Sequence, residues 1–478
     1  MVFSSPTFLF AFLPLCLAVY LVLPRALKNS WLLVLSLIFY AWGEQQWVAL
    51  MLLSIAGNYV FGMLVDRFRG NPRRAGAVIA ATVVFNLGLL AWFKYANFLT
   101  DNLNSALGLA GLDPVVIEPV HLPIGISFFT FQAMSYVIDV YRGDGTVERN
   151  PLNLGLYIAL FPQLIAGPIV RFQDIYEQLR ERAVTLDGFA YGIQRFVIGL
   201  AKKVLIANVM ALPADEIFNL PSSELTPALA WLGVVCYTFQ IYFDFSGYSD
   251  MAIGLGHLFG FRFLENFRYP YVARSITDFW RRWHISLSTW FRDYLYIPLG
   301  GNRVSKRRNY LNLWLVFFLC GLWHGASWAF VVWGMYHGAL LVLERVFLAG
   351  LLDRAGRPVQ HAYTMLAFMI GWVFFRAETL PEAFAMLSAM AGFAAGDGTL
   401  HYTALYLNTE VALTLVIATI GATPVVPALQ AAWSKRATSP GYEHLNGVAA
   451  IAVLGVVFIY TAVHLSASTY NPFIYFRF

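Results

Sequence analysis

The stretch Tyr310–Arg345 reads YLNLWLVFFLCGLWHGASWAFVVWGMYHGALLVLER, and its reading decides the class of fold. Its two charged side chains, Glu344 and Arg345, stand at its end. Two apolar runs, 310–323 and 326–345, meet at Gly321-Leu322-Trp323-His324-Gly325-Ala326. Runs this apolar suit a bilayer, whose hydrocarbon core of ~30 Å takes about 20 helical residues. Outward from here the pattern repeats at 7–23, 30–42, 46–65, 76–98, 121–141, 152–170, 190–211, 227–258, 361–376, 403–424 and 446–465. The reading is an all-α, polytopic integral membrane protein with about 10–13 membrane segments. The shortest segments (30–42, 310–323, 361–376) are expected to be tilted, re-entrant or fused with a neighbour.

Composition agrees with this reading. Of 478 residues 59% are hydrophobic, 17% aromatic and only 12% charged, against about 25% charged in soluble domains. That excludes an ordinary water-soluble enzyme and a disordered chain. Three cysteines, Cys16, Cys236 and Cys320, all lie in apolar stretches and cannot all pair, so a disulfide scaffold is excluded too. The formal charge of +5 comes from Lys and Arg placed between apolar runs. The positive-inside rule accounts for them, and no nucleic-acid partner is implied. Basic connections include Arg25/Lys28, Arg67–Arg74, Arg171–Arg182, Arg262–Arg308, Arg345–Arg357 and Lys435/Arg436, while 99–120, 212–225 and 377–401 lean acidic. Placing the first set in the cytoplasm puts the N-terminus outside. The first run, 7–23, lacks an Ala-x-Ala cleavage site and reads as an uncleaved span. Segment 152–170 has basic residues at both ends and contains Pro162 and Pro168, which predicts a broken or re-entrant helix walled by protein. No repeat or soluble domain is visible, so residues 1–478 read as a single membrane-embedded domain.

The longest polar connection, 261–309, holds ten Lys/Arg and three Asp/Glu among many aromatic residues. Phe279, Trp283, Leu287, Trp290 and Tyr294 recur every three or four residues, which predicts an amphipathic interfacial helix over 275–296. Arg281, Arg282 and Arg292 would then face headgroups or a polar cavity. His284 falls on this helix, at the expected cytoplasmic rim.

Among nine histidines, most lie near span ends and ask for no explanation. His324 differs, because it sits where two apolar runs meet. An imidazole at that depth needs a partner or a water-filled cavity, so it is either a functional group or a hydrogen-bonded tie between helices. His324 deep and His284 at the rim suggest a reaction chamber entered from the cytoplasm. Cys320, four residues before His324, offers a nucleophile–base pair or simply a small packed side chain. Asp244 and Asp250 could pair with an arginine of 262–308, orient a histidine, or line an ion pathway. No Walker, GxGxxG, HExxH or GxSxG pattern occurs, and no metal-ligand spacing is seen.

Several ordered motifs resemble the membrane-bound O-acyltransferase family: Gln163–Ile169, Phe243-Asp244-Phe245-Ser246-Gly247-Tyr248-Ser249-Asp250, Asp278–His284, Arg292–Arg303, Gly321–Gly325 and Trp333–Gly338. They span about 120–345, the motif-bearing core, flanked by peripheral helices 1–119 and 346–478. The likeness is greatest to the bacterial branch of alginate O-acetylation, with teichoic acid D-alanyl transfer more distant. The resemblance implies a membrane-embedded chamber around a central histidine, matched by His324, and a second motif position matched by His284. It implies no metal and no permanently bound cofactor. The implied reaction moves acetyl from a thioester such as acetyl-CoA to an exported polysaccharide, alginate foremost, directly or through a periplasmic acetyltransferase partner, in a bacterial inner membrane.

In that reaction His324 is the base and His284 positions the donor or polarises its carbonyl. By charge and side alone, Arg281, Arg282 and Arg303 are assigned to the phosphates of coenzyme A. A transporter or flippase, or a non-catalytic scaffold of an export complex, would use similar intramembrane polar residues. Paired halves would mark a transporter, and none is visible.

Overall fold

The computed structural model describes residues 1–394, 396–434, 440–467 and 470–473, and the regular structure among them is entirely helical. The basic pair Lys435/Arg436 lies outside the described residues. Among the described residues six helical stretches are long and apolar enough to cross a membrane: Arg25–Arg67, Pro72–Leu109, Leu186–Phe218, Pro227–Leu258, Trp328–Arg354 and Gly447–Ala467. A bent pair, Thr409–Gly421 with Val425–Ala432, makes up to seven. The chain folds into two compact units, Met1–Ile193 with Ala252–Leu264, and Gln194–Met251 with Glu265–Phe478.

In the first unit, Phe3, Phe8, Phe12, Phe39, Phe161 and Phe259 pack as one aromatic cluster. The helices Val48–Arg67 and Pro72–Leu109 exchange side-chain amide bonds, Asn58 to Asn86 at 3.1 Å and Asn86 to Asn58 at 2.8 Å. Such reciprocal pairs tie membrane helices together, since neither amide finds water there. Gly62 lets the Tyr136 ring approach where a Cβ would stand 2.4 Å from its hydroxyl. Segment 152–170 breaks into Pro151–Ala159 and Phe161–Leu164, and residues 154–170 are all buried. Its irregular backbone is satisfied internally: Ser36 accepts from the Phe161 amide, Gln163 Nε2 donates to the Tyr157 carbonyl, and Tyr157 Oη donates to the Val170 carbonyl. Protein surrounds the break, as irregular backbone at membrane depth requires.

In the second unit, Pro227–Leu258 is mostly buried in protein rather than facing outward. Lys306–His324 lies along Trp328–Leu343, and Tyr336 Oη ties the latter to the Ala367 carbonyl of Arg357–Arg376. The acid-leaning connection 377–401 carries a helix of its own, Leu380–Met390, started by a capping box between Thr379 and Glu382.

Candidate active site

Close approach of two helix backbones places His324. A Cβ on Gly321 would stand 2.4 Å from the Phe330 carbonyl oxygen and 3.2 Å from Gly334 Cα. A Cβ on Gly334 would stand 2.4 Å from the Phe317 carbonyl oxygen. Gly334 and Gly338, four residues apart on the second helix, present a small-residue face on which Gly321 and Trp314 of the first helix lie. The first helix ends at His324, and the chain turns through Gly325–Ser327 before the second begins. The imidazole is thus set at the bottom of a helical hairpin, 5% exposed. Its ring is walled by Trp323, Trp333 and Phe375, with centroids 5.0, 5.1 and 5.1 Å away.

The connection that brings His284 to this place departs from the sequence expectation. Residues 275–296 do not form one amphipathic helix. They form Ile276–Trp280, Ile285–Phe291 and a π-turn Arg292–Tyr296, with the break at 281–284. The break is held by distant backbone: Arg268 N–H donates to the Arg282 carbonyl, and Ile285 N–H donates to the Asn266 carbonyl. At the break His284 adopts φ 44°, ψ 54°, a left-handed conformation that costs a non-glycine residue about 1–3 kcal/mol. The aromatic spacing persisted because both pieces bury the same face. Phe279 and Trp283 stack, and Trp283 reaches Trp372. His284 is consequently enclosed by protein, 1% exposed.

The two imidazoles face the same interior. Their ring centroids are 6.5 Å apart with planes at 61°. Trp323 lies beside both, 6.2 Å from His284 and 5.0 Å from His324, and Phe245 closes the far side of His284 at 4.6 Å. Asn266 fixes the His284 tautomer. Its Oδ1 accepts from Ser286 N–H at 3.1 Å and from Ser286 Oγ at 2.9 Å, so this amide atom is the oxygen. His284 Nδ1, 3.2 Å from the same Oδ1, must then carry the proton. Nε2 is left with its lone pair, buried and without a hydrogen-bond partner among the described residues. On this connection outside the spanning helices, burial pushes the His284 imidazolium down to about 3, so the ring is neutral at working pH. Asn266 in turn donates to Ser249 Oγ at 3.1 Å. Glu344, 3% exposed, accepts from the Ile276 and Thr277 amides and anchors the start of the same connection.

The other sequence candidates divide. Asp244 pairs with Lys203 at 2.7 Å, both nearly inaccessible. Asp250 pairs with Lys202 at 2.6 Å and Arg195 at 2.7 Å, and Arg195 also holds Glu265. Their partners come from the 190–211 segment, not from the 262–308 arginines that the sequence reading offered. Arg282 is held by Asp278 at 2.8 Å, while Arg281 and Arg303 are exposed. Cys320 is buried one turn before His324 on the same helix. Among the described residues no group of three or more His, Cys, Asp or Glu is placed to hold a metal ion.

Sequence reasoning missed Asn266, whose role follows from distant pairing, and His337, which it left among the unremarkable span-end histidines. His337 is fully buried, neither ring nitrogen has a partner among the described residues, and Trp280 and Trp333 wall it at 5.2 Å. Gly371 leaves the room for it, since a Cβ there would stand 2.6 Å from Nε2.

Comparison with known proteins gives the family. Residues 147–376 match the model of the membrane-bound O-acyltransferase family. The chain is 44% identical to a probable alginate O-acetylase of Azotobacter vinelandii over the full length of both, and 44% identical to that of Pseudomonas putida, again over both full lengths. A peptidoglycan O-acetyltransferase of Helicobacter pylori is 37% identical, covering 82% of this chain and 80% of its own.

Proposed function

We infer the reaction from a settled premise: the chain belongs to the membrane-bound O-acyltransferase family and is an O-acyltransferase. The group moved is acetyl, the donor acetyl-CoA reached from the cytoplasm, and the acceptor an exported polysaccharide. Alginate is the first candidate, since the full-length relatives are named for its acetylation. The chain sits in a bacterial inner membrane with its N-terminus on the periplasmic side, and the acetyl group reaches the polymer hydroxyl directly or by way of a periplasmic acetyltransferase. The observation that carries the reading is the pair of buried imidazoles 6.5 Å apart in one aromatic enclosure.

His324 takes the proton of the attacking hydroxyl as its oxygen bonds to the thioester carbonyl carbon. The tetrahedral adduct then collapses, the C–S bond breaks, and His324 returns the proton to the leaving thiolate. The attacking hydroxyl's single proton goes to His324, so His284 Nε2 accepts from a second donor group on the acceptor, such as a neighbouring sugar hydroxyl, and so aims the attacking oxygen at the carbonyl. A neutral ring whose one proton is engaged by Asn266 has nothing to donate, so it does not polarise that carbonyl. The tryptophan and phenylalanine walls exclude water, which would otherwise hydrolyse the thioester. Exposed Arg281 and Arg303, with Arg282, are the cations we assign to the coenzyme A phosphates.

The test is acetylation of the exported polymer in cells carrying His324→Ala or His284→Ala, with membrane levels of each variant measured. Loss of polymer acetyl by about 10²–10⁴-fold at normal abundance and normal export is expected for His324→Ala. Retained acetylation would overturn the mechanism, and lost export with unchanged acetyl content would put a transporter or scaffold in its place.

A further inference from the structure

A second feature, wholly within the first unit, is unused by this chemistry. A cavity of about 520 Å³ is lined by the end of Leu13–Val22, the first turn of Arg25–Glu44, and the connection from Phe172–Arg180 to the next helix. Among the described residues four cations line it, Arg25, Lys28, Arg180 and Arg182, and no carboxylate does. The nearest compensation is partial: Glu148 holds Arg180 at 3.4 Å. The cation density is built rather than incidental. Arg182 donates from Nε to Tyr20 Oη and to the Phe259 carbonyl, both at 3.1 Å, and from Nη1 to the Gln178 carbonyl at 3.2 Å. Its guanidinium lies 4.1 Å from the Phe261 ring centroid. Lys28 sits 4.6 Å over the Tyr20 ring. The remaining Arg182 nitrogen, Nη2, is buried with no partner among the described residues.

A guanidinium held in place by three hydrogen bonds at a wall lined by three further cations makes a receptor for an oxyanion. The helix Arg25–Glu44 adds the positive end of its dipole at the same wall. Apart from Asn29 and Thr185, the remaining lining is largely apolar (Leu21, Leu179, Val184, Leu186, Phe189), and Leu21, Val22 and Leu186 are exposed beside it, 47%, 81% and 89%. A ligand that satisfies both faces carries a phosphate and an apolar part. We propose that this cavity binds the phosphate group of an amphipathic ligand, held by Arg182 and Lys28 with Arg25 at the mouth. That chemistry belongs to an anionic phospholipid headgroup or to a soluble phosphate compound, and the lining shares no residue with the histidine pair.

The full-length protein, purified in detergent, is titrated with phosphatidylglycerol, with phosphatidylcholine and with inorganic phosphate, reading thermal stabilisation and lipid retention by native mass spectrometry. Arg25→Gln/Lys28→Gln is the main variant, because Arg25 is exposed, Lys28 only partly buried, and neither holds the fold as Arg182 does. Saturable stabilisation by phosphatidylglycerol over phosphatidylcholine, at least tenfold weaker in the variant and not displaced by phosphate, identifies a lipid headgroup. Stabilisation by inorganic phosphate that the variant abolishes identifies a soluble phosphate. Wild type and variant behaving alike toward all three would overturn the proposal. Arg182→Lys tests the fork separately: it keeps the charge, loses the planar geometry, and should weaken binding while the midpoint without ligand shows whether the fold survives.

Discussion

Two buried polar clusters in the second unit make opposite use of similar material. In one, Asp244 meets Lys203, and Asp250 meets Lys202 and Arg195, so every formal charge is answered by its opposite within 2.7 Å. In the other, His284 and His324 share an aromatic enclosure, and His284 keeps a buried lone pair on Nε2 that no described residue answers. A cluster satisfied by its own members has no vacancy for a substrate, and its worth lies in fixing how helices meet. A cluster with an unanswered acceptor bears a desolvation cost that only an arriving donor relieves. An arriving hydroxyl is such a donor. The contrast separates structure from chemistry among residues that looked equivalent in the sequence.

The largest effect expected from this contrast is on stability. Asp244→Ala leaves Lys203, 3% exposed, as an uncompensated buried charge, at a cost of about 3–5 kcal/mol. Lys203→Met added to Asp244→Ala should recover most of the loss, because it removes both charges together. Thermal melting in detergent, with acetyl transfer assayed on the surviving fraction, reads both. A double variant that melts normally but transfers no acetyl would move Asp244 from the structural cluster to the chemical one and erase the contrast.

How much of this was visible in the sequence follows the range of the interactions. The apolar runs, the depth of His324 and the break in 152–170 depend on local composition, on glycines flanking His324 and on prolines within the broken segment, and they could be read directly. The helix Leu380–Met390 was also readable, since Thr379-Leu380-Pro381-Glu382 is a helix-start signature inside a stretch taken only as acidic. The break at 281–284 was not. Periodicity reports which side chains are buried, and Phe279, Trp283, Leu287 and Trp290 are buried whether or not the helix is continuous. What breaks it is hydrogen bonding to 266–268, some fifteen residues earlier, and Asn266 carries no local mark of its role. The partners of Asp244 and Asp250 had a signal that went unused. Lys202 and Lys203 stand in the middle of an apolar run, where adjacent lysines call for carboxylates.

A middle-sized effect sharpens the chemical side. Asn266→Ala removes the acceptor that fixes the His284 proton on Nδ1, so the ring can turn or change tautomer. Loss of one such buried hydrogen-bond partner is worth about 1–3 kcal/mol, or roughly 5–150-fold in turnover. A merely structural Asn266 would lower activity in any background. A positioning Asn266 acts through His284, so Asn266→Ala should cost almost nothing more when added to His284→Ala. Fully additive losses in this cycle, measured per folded protein, would detach Asn266 from the imidazole.

The smallest effect concerns pH and tests whether His284 is as neutral as its surroundings require. Its imidazolium form is pushed down to about 3 when folded, while an unfolded histidine titrates near 6.5. Between these values the unfolded chain binds a proton that the folded site refuses, so stability falls as pH drops from about 6.5 toward 3 and is fully present above that window. Other groups contribute to the same curve, so the slope of one protein alone does not isolate His284. The difference between wild type and His284→Asn does. Asparagine has no proton to take up, so the variant should show a shallower decline between pH 6.5 and 4.5, above the ordinary carboxylate range. Equal slopes across that interval would mean that His284 charges freely in the folded protein. In that case its Nε2 is already protonated by solvent and cannot serve as the acceptor that aims the hydroxyl.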